Sequence, residues 1–180
     1  SHIHDFLREI TKFFDLFLFI EKGSVPDSFL GYKNAYVLYF SSPILRTLET
    51  WFVLFRVRLA GYRNFYVHYS FSAAFAASII VKICGGRTFY WNCGEPWKYK
   101  RNYLRDFFEH LVYRIITFQV TGADSIAREY SKHYPISLNR IKVMPNWIDI
   151  KRFGVIGEKE TQKNKLKFPL DKKIILFVHH

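Results

Sequence analysis

The chain has 180 residues, 49% of them hydrophobic and 19% aromatic, a composition that excludes a disordered or fibrous protein and allows one domain with a substantial core. Its 27 Lys+Arg against 15 Asp+Glu give a net charge of +12, which favours polyanionic partners: nucleic acid, anionic headgroups or phosphorylated small molecules. Cys84 and Cys93 provide neither a disulfide framework nor a zinc ligand set, so a reducing setting is expected.

No run reaches the roughly 20 apolar residues of a membrane-spanning helix, and the first residues lack the order of a secretory signal. The expectation is a protein that is soluble or lies on a surface.

Ile3, Phe6, Leu7, Ile10, Phe13 and Phe14 recur at helical spacing, which predicts a helix over 2–13. The apolar run 16–20 then predicts a buried strand, closed by Gly23 and Pro26. A second strand is expected at 36–40, followed by Ser42 as N-cap, Pro43 at the first helical position and a helix ending at Gly61. Strand 64–69 leads into an alanine-rich helix over 71–84, small enough in section to pack closely on a sheet and stopped by Gly85 and Gly86.

A strand at 87–92 follows, then a turn at Gly94 and Pro96. The next helix carries an apolar stripe of Leu104, Phe107, Phe108, Leu111, Val112 and Ile115, with Arg101, Arg105, Asp106, Glu109, His110 and Arg114 on the opposite face. Gln119 to Thr121 reads as a short strand, and Thr121 with Asp124 as a capping box opening a helix to His133. Ile141, Val143 and Met144 form the last strand before Pro145 removes a ladder donor and Asn146 favours a turn. Beyond Phe153 the chain is polar and lysine-rich through Lys165, then apolar again at 174–178.

Short apolar strands alternating with helices require crossovers, so the expected fold is α/β: a doubly wound, mostly parallel sheet. Ligands of such sheets lie beyond the carboxyl ends of the strands. The candidate site residues are therefore His68, Tyr69 and Ser70; Asn92, Cys93, Gly94 and Glu95; and Pro145, Asn146 and Asp149. His68 and Glu95 are the candidates for proton transfer, weighed against a structural histidine and a solvated glutamate. No glycine-rich dinucleotide loop, Walker loop, HExxH or nucleophile elbow is present, and no metal site is expected.

Pro145, Asn146, Trp147, Ile148 and Asp149, followed by Arg152 and Phe153, resemble the Pro-Asn-Gly-Val-Asp...Arg-Phe signature of family 4 glycosyltransferases, which have two Rossmann-like halves. The likeness extends over nearly the whole chain: residues 1–10 resemble the first helix, 67–74 the strand-end histidine with its small-residue helix, and 118–130 the strand and helix before the signature. It implies an N-terminal acceptor-side domain at 1–153 with its first strand missing, an interdomain linker at 154–172, and the first strand of a truncated donor-binding domain at 173–180. Pro145, Asn146 and Asp149 then belong to the interdomain loop.

The implied reaction is transfer of a sugar from a nucleotide-sugar donor to an acceptor hydroxyl, with retention and without a cofactor or metal. The acceptor would be lipid-linked or a polysaccharide, the enzyme cytoplasmic at the inner face of the membrane, and this fragment inactive alone. Two departures stand out. Cys93 occupies the position of a frequent histidine, which directs attention to Asn92 and Glu95 for polar contacts, and His179 with His180 replace a frequent Gly-Arg pair. Alternatives of another class are a non-catalytic α/β binding module or partner subunit. Its basic surface, including the run from Trp97 to Arg101, would meet an anionic membrane; nucleic acid is disfavoured because no exposed stacking platform is evident.

Overall fold

The structure, a computed structural model, describes residue 7 and residues 9–21, 34–100, 102–145 and 159–171. Residues 7–146 form one compact unit, and residues 159–171 belong to a second. The expected strand at 174–178, Asn146, Asp149 and most of the signature lie outside the described residues.

Helical turns marked by Thr11 N–H on the Leu7 carbonyl and Phe14 N–H on that of Ile10 lead into β1 (Leu18–Ile20). β2 (Ala35–Val37) pairs parallel with β1, Phe19 opposite Tyr36. After α1 (Pro43–Leu59) come β3 (Asn64–His68), α2 (Phe71–Cys84), β4 (Arg87–Trp91), α3 (Tyr103–Ile115), β5 (Phe118–Thr121), α4 (Asp124–His133) and β6 (Ile141–Val143). The last four strands make a parallel sheet in the order β3-β4-β5-β6. The expected α/β architecture of parallel strands with helical crossovers is what forms.

Because β3 to β6 are neighbours in chain order, right-handed crossovers carry α2, α3 and α4 to the same face of that sheet. In β3 the alternation places Phe65 and Val67 in the core and Tyr66 and His68 on the other side. α2 lies between α1 and α3. Ala73, Ala74, Ala76 and Ala77 are buried there, because only small side chains let one helix approach a sheet and two helices together.

Several boundaries differ from expectation for a visible reason. β2 stops at Val37 because buried Glu49 of α1 takes the next amides, Tyr39 N–H at 2.9 Å and Phe40 N–H at 3.1 Å, and the Tyr36 hydroxyl at 2.8 Å. The Thr121 capping box does not form: Thr121 is the buried last residue of β5, and α4 opens from Ala123 with no side-chain cap. Ser42 is the N-cap of α1 but makes no side-chain cap bond. The stripe on α3 is also rotated, since Glu109, Val112 and Tyr113 are buried while Leu104, Phe107 and Phe108 are exposed. Within the lysine-rich stretch, residues 159–165 form a helix, α5 (Lys159–Lys165).

Two arginines close helix ends. Arg58 binds the carbonyls of Cys84 and Gly85 after α2, and Arg140 binds those of Arg114, Ile116 and Thr117 after α3. Each cation satisfies acceptors that a helix leaves open and lies at the negative end of its dipole. Gly86 has φ +133° and a Cβ there would stand 2.4 Å from the Arg63 carbonyl, so the turn from α2 into β4 requires glycine.

Burial alone would raise the Glu49 carboxyl, but the amides of Tyr39 and Phe40, the Tyr36 hydroxyl and the Arg46 charge together hold it below its ordinary 4.5. A depressed folded-state value stabilises the fold above the unfolded value, and that stability is lost as pH falls through the folded one. Thermal melts of wild type and Glu49→Gln are expected to show wild type losing its advantage on acidification below 4.5, with the variant's melting temperature flatter over the same window.

Candidate functional site

The carboxyl ends of β3, β4 and β5 lie side by side, since His68 is in register with Trp91 and Trp91 with Val120. The residues that follow therefore converge: Tyr69 and Ser70 after β3, Asn92 to Glu95 after β4, and Gly122 after β5. Parallel pairing, which puts every strand end at one edge, is the physical cause of the cluster.

His68 has three aromatic neighbours. It stacks on Trp91 at 6.0 Å and 13° and on Tyr66 at 6.5 Å, and meets Tyr69 edge-on at 4.6 Å. This holds the imidazole plane while leaving the residue exposed at the strand end. Tyr69 itself has φ 57°, a left-handed conformation costly for a residue with a Cβ. Its N–H on the Trp91 carbonyl at 3.0 Å and the Ser70 N–H on the His68 carbonyl at 2.8 Å keep it there. Ser70 caps α2 through Ala73 N–H at 3.3 Å and donates its hydroxyl to Glu21.

Asn92 is fully engaged. Its Nδ2 donates to the hydroxyls of Tyr113 at 3.2 Å and Tyr90 at 3.4 Å, its Oδ1 accepts from Gly94 N–H at 2.9 Å, and its carbonyl accepts from Gln119 Nε2 at 3.0 Å. The Gly94 carbonyl in turn accepts from the Tyr130 hydroxyl at 2.9 Å. Tyr113 and Tyr130 belong to a buried tyrosine cluster with Tyr90 and Tyr134, where Trp97 packs edge-on against Tyr130 at 5.0 Å. Burial raises the ionisation of both hydroxyls well above the ordinary tyrosine value, so they remain neutral donors. Asn92 thus shapes the loop and has no donor to spare for a ligand.

Cys93 is half-buried, and burial raises its thiol against the opposing influence of Thr121, the Gly122 backbone and Tyr69. It is a protonated thiol at neutral pH and cannot relay protons as an imidazole does. Its Sγ lies 3.3 Å from where a Gly122 Cβ would stand, so Gly122 is what makes room for it. Glu95 is paired with Lys98 at 2.8 Å on the surface. Pro145 is exposed just after β6, whose following Met144 N–H binds the Thr121 carbonyl at 2.8 Å.

The structure therefore brings His68, Tyr69, Asn92, Cys93 and Gly94 together, assigns Ser70 to a helix cap, and engages Glu95 with Lys98. Tyr66, Trp91, Gly122 and Glu21 were not anticipated; Trp91 and Gly122 are signalled by their position at the ends of β4 and β5, and Tyr66 by lying two residues before His68 on the same face of β3. Among the described residues no group of three or more His, Cys, Asp or Glu could hold a metal ion.

No family model matches the chain, and no curated protein matches it. Among solved structures it is similar to UDP-GlcNAc 2-epimerase from Methanocaldococcus jannaschii, with 14% identity and a TM-score of 0.50 over 63% of this chain and 32% of that one. It is also similar to HepE from Anabaena in complex with UDP-glucose, with 13% identity and a TM-score of 0.52 over 76% of this chain and 37% of that one. The HepE complex with UDP gives 11% identity and a TM-score of 0.52 over 74% and 36%. The chain spans about a third of the length of these proteins. At such identities the likeness is one of fold: parallel sheets flanked by helices, a Rossmann-like arrangement of the GT-B kind.

Removing the Asn92 side chain withdraws a hydrogen-bond donor from the buried Tyr113 and Tyr90 hydroxyls and the acceptor of the Gly94 amide. Asn92→Ala is expected to destabilise the unit by about 2–3 kcal/mol in urea unfolding, far more than Glu95→Ala at the exposed ion pair.

Proposed function

We propose that the chain is the acceptor-side half of a glycosyltransferase that moves a sugar from a nucleotide-sugar donor to an acceptor hydroxyl, with retention of configuration. The observation that carries this reading is the strand-end cluster around His68 on a Rossmann-like sheet, in a fold similar to a protein whose structure contains UDP-glucose. Residues 1–153 form the acceptor-side domain, 154–172 the linker and 173–180 the start of the donor-binding half. The reaction needs no cofactor or metal.

In this reading His68, stacked on Trp91 across the strand and on Tyr66 of its own strand, presents its imidazole to the transferred sugar or the acceptor hydroxyl. An imidazole, with two ring nitrogens that can donate or accept, suits hydrogen bonding and proton transfer there. Cys93, protonated and lodged against Gly122, shapes the floor of the cleft. Asn92 acts through the loop it fixes. Asn146 and Asp149 close the interdomain loop.

The test is a donor panel including UDP-glucose and UDP-GlcNAc, assayed with the complete protein and with this chain. Transfer by the complete protein, none by this chain, and a loss of at least about 100-fold in kcat/KM for His68→Ala are expected. Donor turnover to an epimer without an acceptor would make the protein an epimerase; absence of any reaction across the panel would remove the enzymatic reading.

A second observation favours a membrane-linked acceptor. Tyr99, Tyr103, Leu104, Phe107 and Phe108 are exposed beside Lys98, Lys100 and Arg105, an apolar and basic surface at the start of α3. No helix among the described residues is long and apolar enough to cross a membrane. We read this surface as a contact for anionic headgroups, each cation contributing about 1 kcal/mol. Sedimentation with phosphatidylserine-containing vesicles is expected to bind the protein at low salt, with Phe107→Ser and Phe108→Ser each weakening binding; no binding at low salt removes this reading.

A further inference from the structure

α1 is apolar on two sides. Val53, Leu54 and Val57 are buried on the inward side, where the helix packs against α2. On the outward side Ile44, Leu45, Leu48, Phe52, Phe55 and Leu59 are between 44% and 73% exposed. At about 100° per residue these six share one arc roughly 100° wide, and no polar or charged residue of the helix falls inside it. Single exposed leucines are ordinary on a protein surface, but a helix apolar on both faces is one whose second face is covered. Nor can α1 roll to bury that face itself. Glu49 holds it to the amides of Tyr39 and Phe40, and Arg58 holds it to the carbonyls of Cys84 and Gly85.

The spacing of this fixed ridge selects what fits it. Leu45, Leu48, Phe52, Phe55 and Leu59 recur at intervals of 3, 4, 3 and 4, the seam along which one helix packs against another. A lipid surface asks instead for apolar side chains beside free cations, as at the start of α3. The cations of α1 are directed elsewhere: Arg46 to the Glu21 carbonyl, Arg58 to the end of α2, and Arg56 over its own Phe52 ring at 5.7 Å.

The seam is also self-complementary. Leu45 lies seven residues before Phe52 and Leu59 seven after it, so a two-fold axis through Phe52 sets Leu45 of one copy against Leu59 of the other, Leu48 near Phe55, and Phe52 on Phe52. An antiparallel pair keeps Arg56 and Arg58 of the two copies at opposite ends and opposes the helix dipoles, whereas a parallel pair would bring the arginines together. Side chains of these sizes at these exposures present on the order of 600 Å² per copy, so two copies bury about 1,200 Å², the lower end of stable, specific interfaces. We propose that α1 is the contact of a homodimer, in which the outward arcs of two copies of this chain pack as an antiparallel helix pair about a two-fold axis through Phe52.

Sedimentation velocity of the 180-residue chain over a concentration series, without lipid, tests the pairing. A shift from monomer to dimer is expected, with a Kd in the micromolar range that suits an interface of this size. Phe52→Glu sets two carboxylates face to face on the axis and is expected to weaken association at least about 100-fold; Phe55→Gln is expected to weaken it at least about tenfold, and neither lowers the Tm of the dilute monomer. Phe107→Ser, on α3, leaves association unchanged. The direction is read by cross-linking with a short bismaleimide, since equal positions beyond the axis stand about 21 Å apart in an antiparallel pair. In a mixture of Leu45→Cys and Leu59→Cys the two variants are expected to join each other and neither to join itself, above the background that wild type gives through Cys84 and Cys93. A chain still monomeric at about 200 μM, association that survives both Phe52→Glu and Phe55→Gln, or association lost in Phe107→Ser overturns the proposal. Self-linked Leu45→Cys and Leu59→Cys overturn the antiparallel arrangement.

Discussion

The architecture of the strand-end region depends on Asn92. One side chain fastens the end of β4 to two tyrosine hydroxyls beneath it and to the Gly94 amide beyond it, while its carbonyl anchors Gln119 of β5. A side chain with both donors and acceptor engaged cannot rotate without breaking three hydrogen bonds at once, two of them to buried tyrosine hydroxyls, a cost that is a fair share of a domain's net stability. The loop from Cys93 to Glu95 is therefore set from below, and the position of the Cys93 thiol against Gly122 follows from it.

The same economy of polar groups recurs elsewhere. Glu49 terminates β2 by accepting from the amides of Tyr39 and Phe40 just beyond it, and Arg58 and Arg140 close the carbonyl ends of α2 and α3. Part of the +12 charge is thus spent inside the fold on backbone acceptors rather than offered to a partner. The charge that does face outward includes Lys98, Lys100 and Arg105, next to apolar side chains that α3 turns away from the core.

Aromatic packing links fold to site. His68 is oriented by Trp91, Tyr66 and Tyr69, and Tyr69 holds a left-handed backbone conformation that neighbouring hydrogen bonds impose. Strain of this kind persists only where surrounding structure over-determines it, and here it sits at the converging ends of three parallel strands. The tyrosine cluster under β4 gives that edge a base, while at the rim the contact of Tyr69 with His68 joins the end of β3 to the site.

Most elements were legible in the sequence because apolar periodicity and glycine or proline punctuation are local. The runs 64–68, 71–84 and 87–91 are bounded as their residues dictate, with Gly85 and Gly86 at positive φ where the chain must turn. The candidate list was legible too, since parallel pairing puts His68 and Cys93 at one edge whatever the details. What only the tertiary structure decided is how each polar group is used. Thr121 looks like a helix cap in one dimension but is the buried end of β5; Asn92 looks like a ligand contact but is a structural fastening; Leu104, Phe107 and Phe108 look like core but face outward. Local pattern determines which backbone conformation a segment prefers, whereas the partner of a buried donor or acceptor comes from segments far apart in the chain, and only the assembled layers bring those together.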